Sequence, residues 1–262
     1  MEDVLTELPP PSRFFLEDLN NFAPPAPPLP SPFILHSTPN SKTVIRPSLL
    51  IIAISTPSLH LLHHLSPKTL IGTLILPEIP SSGNSANPSL KDKSCNLYAI
   101  SHGSESIVLA NFQYSVSSER THSIAKTLIG QNIIPQQVVI FDSVQSRNFR
   151  GRISTDDTFV MKLETSRERQ GVPLLKSLSY FPSGSVVEGL GAALLGRCQM
   201  MNIKATLCVS WPESGGLVTS VVKDLLLKDV LPNMEVSIEA DDEDEGLRFG
   251  VKNHYLDSEL YT

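Results

Sequence analysis

Cysteine is scarce in this chain of 262 residues, and its scarcity excludes several classes at once. Cys95, Cys198 and Cys208 stand far apart and form neither a metal nor a redox motif, so they read as reduced, mostly buried thiols. Long apolar runs are missing as well. The most hydrophobic stretch, Leu49-Leu50-Ile51-Ile52-Ala53-Ile54, is strand-sized and well short of a membrane span. The opening residues carry Glu2, Asp3 and Glu7 but no basic segment and no apolar core. A secretory signal is therefore not expected, and the acids speak against an organellar transit peptide. The expected compartment is the cytosol, with the nucleus as the alternative.

Excess charge is also missing from most of the chain. From Glu239 onward eight acidic residues face only Arg248 and Lys252, so this segment carries −6, the same as the whole molecule. Residues 1–238 are formally neutral, which argues against a nucleic-acid partner and against an anionic membrane surface. The run Asp241-Asp242-Glu243-Asp244-Glu245 repels itself and reads as a solvated loop. An acidic tail is also steered toward a basic pocket, mainly as a salt-dependent gain in on-rate.

What is abundant is proline, and it is unevenly spread. Eleven of the 21 prolines precede Ser48. Proline fixes φ and has no N–H to donate. Residues 1–43 are therefore expected to be largely disordered or polyproline-like, with a short amphipathic island around Phe15, Leu19 and Phe22. Beyond Ser48, strand-like and helical patterns alternate. Strands are expected at Leu49–Ile54, Leu70–Leu76, Asn96–Ile100, Ile107–Phe112, Gln137–Phe141, Thr158–Leu163 and Ile203–Ser210. Helices are expected at Pro57–Leu65, Ser117–Gln131 and Leu217–Val230, the last ended by Pro232. A further helix is expected to start at Ser183, because Ser185-Val186-Val187-Glu188 fits a capping box. The alternation predicts an α/β fold with a mostly parallel or mixed sheet flanked by helices. Its domain spans 44–240, between the proline-rich segment 1–43 and an acidic C-terminal part, 241–262. Residues 234–251 are open between a hairpin with an acidic loop and an extended strand.

The residues assemble no catalytic constellation. Gly184 and Gly189 have the spacing of a phosphate-binding loop, but Leu190 and Gly191 occupy the positions that need lysine and a hydroxyl. The helix N-terminus expected there remains open to an anion. The favoured reading is structural: Gly189, Ala192, Ala193 and Gly196 make a small-residue face for close packing against a sheet or a partner. His60, His63 and His64 share a helical face, but no acid lies between Ala53 and Leu76 to complete a zinc site, and surface or interface positions are expected for them. Arg147, Arg150 and Arg152 read as a solvated loop, with an acidic partner surface as the alternative. No enzyme activity, cofactor or metal is expected.

The chain closes on Leu260-Tyr261-Thr262: hydrophobic residue, tyrosine, then any residue with the free carboxylate. This ending resembles the docking tails that insert into the outer ring of the proteasome core particle. Together with Leu49–Leu76, Tyr180–Leu190 and Thr206–Glu213, this ending resembles the proteasome assembly chaperone family, in the plant-like form of its first member. The resemblance covers roughly residues 45–262.

The resemblance implies a non-catalytic chaperone with a nucleoside-phosphorylase-like fold. It would pair with proteasome assembly chaperone 2 and sit on the ring of proteasome α-type subunits while the core particle assembles. Leu260 would make an apolar contact at the lip of an intersubunit pocket. Tyr261 would place its ring between subunits, and Thr262 would offer its carboxylate to a lysine, worth about 1.5–3 kcal/mol. The rival readings are a nucleoside-phosphorylase-like enzyme and another proteasome-docking adaptor or activator.

Overall fold

A computed structural model of the chain describes residues 28–37, 44–80, 88–102, 105–154, 156–232 and 234–236. The chain divides into two units between Pro30 and Ser31, and the fold described below is that of the second.

Its centre is an eight-stranded mixed sheet. The strands are β1 (Phe33–His36), β2 (Leu49–Ala53), β4 (Thr69–Ile75), β5 (Cys95–His102), β6 (Glu105–Phe112), β7 (Gln137–Ser143), β8 (Phe159–Glu164) and β9 (Lys204–Trp211). Their spatial order is β1-β4-β5-β6-β2-β7-β9-β8. The four middle strands β6, β2, β7 and β9 run parallel, an antiparallel arm of β5, β4 and β1 extends one side, and β8 closes the other side antiparallel to β9. A short second sheet joins β3 (Leu65–Ser66) to β10 (Glu235–Val236).

The centre of the sheet is apolar on both faces, which is why Leu49–Ala53 reads as a continuous hydrophobic run. Along β2, Leu50 and Ile52 enter one core while Leu49, Ile51 and Ala53 enter the other. The first core is covered by α2 (Ser118–Leu128), through Ile124, Ala125 and Leu128, and by α4 (Gly189–Met200), through Leu190, Leu194 and Cys198. The second is covered by α1 (Thr56–His64), through Leu61 and Leu62, and by α5 (Gly216–Leu225), through Val218, Val222 and Leu225. A π-helical turn, Leu226–Val230, prolongs α5. A four-residue helix, α3 (Ser166–Arg169), follows β8. All three cysteines are free and buried. Among the described residues no helix is long and apolar enough to cross a membrane.

Two expectations differ from what the fold shows. The strand β1 lies inside the segment read as polyproline-like, and it pairs with β4 from Phe33↔Ile75 to His36↔Gly72. Its place at the sheet edge explains this, because an edge strand tolerates flanking prolines such as Pro32. The second difference is at Ser183–Glu188, where no helix forms. The helix α4 begins only at Gly189, with extended Glu188 before it and no side-chain cap of its own. Ser185 Oγ instead accepts from the Arg150 N–H at 2.8 Å, so the capping-box residues are committed elsewhere. Of the open segment 234–251, Glu235 and Val236 pair with β3, and residues 237–262 lie outside the described residues.

Candidate functional site

The chain leaves the adjacent parallel strands β2 and β6 toward opposite faces. After β2 it enters α1 on the second core, and after β6 it enters α2 on the first. A crevice must open outside the carboxyl ends of strands at such a crossover, and this is where α/β sheets place their ligands. A cavity of about 440 Å³ lies there. Its lining comes from the ends of β2, β6 and β7, the loop after β7, and the segment leading into α4.

The apolar floor of the cavity includes Ile54, Phe112, Leu190 and Val209, while its charged groups are Asp142, Glu188 and Glu213. No lysine, arginine or histidine among the described residues lines it. Asp142, at the end of β7, accepts the backbone N–H groups of Ser143, at 2.8 Å, and Gly191. It makes no salt bridge among the described residues. Burial pushes its carboxyl up to about 6; the two N–H groups pull the other way, and neighbouring Glu213 adds to the rise. Through Gly191 the carboxylate reaches the first turn of α4 and supplies the cap the helix otherwise lacks. The place that the sequence left open to an anion is therefore taken by the protein's own carboxylate.

The basic loop and the glycine-containing stretch meet at the rim. Glu188 accepts from Asn148 Nδ2 at 2.8 Å and from Arg147 Nη2 at 3.1 Å, which together hold its carboxyl below the ordinary range. The Val186 N–H donates to the Asn148 carbonyl at 2.8 Å. Gly184 has φ +89°, and a β-carbon there would stand 2.5 Å from the Arg150 guanidinium. Phe149 anchors the loop against Phe159 and Phe181. Arg147 and Arg150 are thus partly occupied within the chain.

Other singled-out residues fall differently from expectation. His60 is buried against the core, its ring 4.8 Å from that of His64, where a surface or interface position was expected. Its i, i+4 spacing to His64 was visible in the sequence, but the direction of the helix face was not. Of the small-residue face of α4, Ala193 packs in part against the first core beside Leu190, Leu194 and Cys198, while a β-carbon at Gly189 or Gly196 would meet nothing within 4 Å. The docking residues Leu260, Tyr261 and Thr262 and the acidic run Asp241–Glu245 lie outside the described residues. Asp142 was not singled out at all, because one aspartate at a strand end carries no sequence signal until a helix N-terminus is brought against it.

No family model matches the sequence. No curated protein matches it either. The fold, however, has clear counterparts among solved structures. PbaA of Pyrococcus furiosus, described as an archaeal homolog of proteasome-assembly chaperone, superposes with a TM-score of 0.59 at 15% identity, covering 84% of this chain and 92% of that one. PbaB of the same organism, described as an archaeal proteasome activator, gives 0.58 at 12% identity over 84% and 96%. A Thermoplasma acidophilum protein of unknown function gives 0.55 at 14% identity over 79% and 86%. At these identities the likeness is one of fold.

Proposed function

We propose that the protein is a non-catalytic chaperone for assembly of the proteasome core particle, acting in the cytosol or nucleus in the role of the family's first, plant-like member. The observation that carries this reading is the fold shared with PbaA across most of both chains. A second support is the Leu260-Tyr261-Thr262 ending, whose pattern suits an intersubunit pocket in a ring. In this reading the chain pairs with proteasome assembly chaperone 2, a partner of similar fold, and the pair rests on the ring of α-type subunits. Leu260 fills an apolar contact, Tyr261 enters between subunits and Thr262 presents its carboxylate to a lysine. Such a tail binds weakly alone and gains through avidity when body and partner engage the same ring.

Two rivals remain. The likeness to PbaB favours the activator reading as the second. A phosphorylase-like enzyme fares worse, since the crevice presents carboxylates where a phosphate co-substrate needs donors and cations. The deciding experiment is affinity capture with tagged protein, followed by identification of co-eluting proteins. Enrichment of free α subunits and a second chaperone is expected. Capture of mature particles alone would transfer the assignment to the activator, and capture of no proteasome subunit would overturn it.

A further inference from the structure

Chaperone activity as proposed above makes no use of the crevice at the carboxyl ends of β2, β6 and β7. We infer that this crevice is a binding site for an ammonium or guanidinium group carried on an apolar stem. The cavity of about 440 Å³ is large enough for a lysine-sized group, and its floor of Ile54, Phe112, Leu190 and Val209 suits the stem. At its side stands the half-buried Asp142 carboxylate, which among the described residues accepts from the backbone N–H groups of Ser143 and Gly191. Glu213, exposed at the rim, adds a second negative charge next to Asp142. The third carboxylate, Glu188, is already held by Arg147 and Asn148. A carboxylate partly withdrawn from water beside a like charge is stabilised by a cation, and no described residue lining the cavity supplies one.

Anions are excluded by the same geometry. Asp142 occupies the N-terminus of α4, the position at which this architecture holds phosphate. The cation has two possible sources, a free aliphatic amine and the lysine side chain of a partner protein, with the same chemistry at the site.

The test uses the full chain and titrates it with Nα-acetyl-lysine amide, 1,4-diaminobutane, Nα-acetyl-norleucine amide and inorganic phosphate, followed by calorimetry and by the emission of the single tryptophan, Trp211, which neighbours Pro212 and Glu213. Both amines are expected to bind saturably, with the lysine probe about tenfold or more tighter than its uncharged norleucine counterpart, as for a hydrogen bond to a charged group. Tighter binding of the diamine would identify a free amine as the source, and tighter binding of the lysine probe a protein side chain. Asp142→Asn should abolish the preference for the amine. Should that variant fail to fold, Glu213→Gln, at the exposed rim, decides by weakening the amine several-fold while leaving the norleucine probe unchanged. Equal binding of the lysine and norleucine probes, an unaltered preference in Glu213→Gln, or saturable binding of phosphate would overturn the inference. Capture of proteasome subunits is a separate measurement, so either reading can fail alone.

Discussion

The carboxylate of Asp142 stands where the side chain of residue 191 would begin: a β-carbon on Gly191 would lie 2.3 Å from Asp142 Oδ2. Strand β7 and helix α4 are thereby locked together, the strand capping the helix and the helix giving up a side chain to let the cap approach. The N–H of Gly191 completes the contact.

Gly191→Ala is accordingly expected to destabilise the protein. The new methyl must displace a half-buried carboxylate, at about 1–3 kcal/mol for an overpacked site, partly offset by about 1 kcal/mol of better helix propensity. The pair can be separated by a double-mutant cycle on urea midpoints. In an Asp142→Ala background the same glycine substitution should be neutral or stabilising. Additive effects would mean that the two residues do not compete for one space.

The pH dependence follows from Asp142. Its carboxyl sits at about 6 in the folded chain against an ordinary 3.8, because burial disfavours the charge. The folded state then holds the proton more tightly than the unfolded one. Its contribution to stability is complete below about pH 4 and disappears as the pH rises through 6. Urea midpoints measured from pH 4 to 7 should therefore fall more, or rise less, for the wild type than for Asp142→Asn. Parallel curves would remove Asp142 from this role.

On the edge strand β8 the polar residues point inward: Val160, Lys162 and Glu164 are buried while Phe159, Met161 and Leu163 are half-buried. Lys162 Nζ lies 2.7 Å from Glu164 Oε1, and the Tyr180 hydroxyl donates to Glu164 Oε2 at 2.7 Å. Lys162 and Tyr180 hold Glu164 below its usual range against the opposing effect of burial. Glu164→Gln leaves the lysine buried without its counter-ion and should cost about 3–5 kcal/mol. The combined Lys162→Met, Glu164→Leu variant should recover most of that loss in chemical denaturation.

For the C-terminal residues, deletion of Tyr261-Thr262 should reduce capture of α-ring intermediates and leave folding and pairing with the second chaperone intact. Adding one glycine after Thr262 should harm capture similarly, because in the proposed docking mode it displaces the carboxylate. Undiminished capture by both variants would dismiss the tail from the mechanism.

Much of the sheet was legible because its strands carry their own signal. The run Leu49–Ala53 needs burial on both faces, and Ser118–Leu128 shows its apolar stripe through Ile124 and Leu128. The edge strand Phe33–His36 was hidden by its proline-rich neighbours, since an edge position is a property of the assembled sheet. The start of α4 was misplaced for a related reason: Ser185 and Glu188 suit a cap locally, but the loop at Arg147–Arg150 claims both.

The sequence by itself determined the α/β class, the buried thiols, the confinement of net negative charge to the C-terminal part and the Leu260-Tyr261-Thr262 ending. Those follow from composition and from periods of two and 3.6, which are local. The tertiary structure alone decided that the strands form a mixed sheet in this order, that β2 and β6 part toward opposite faces, and that a lone aspartate meets a helix beginning far along the chain. Such relations depend on which segments pack side by side, and no local pattern of residues encodes them.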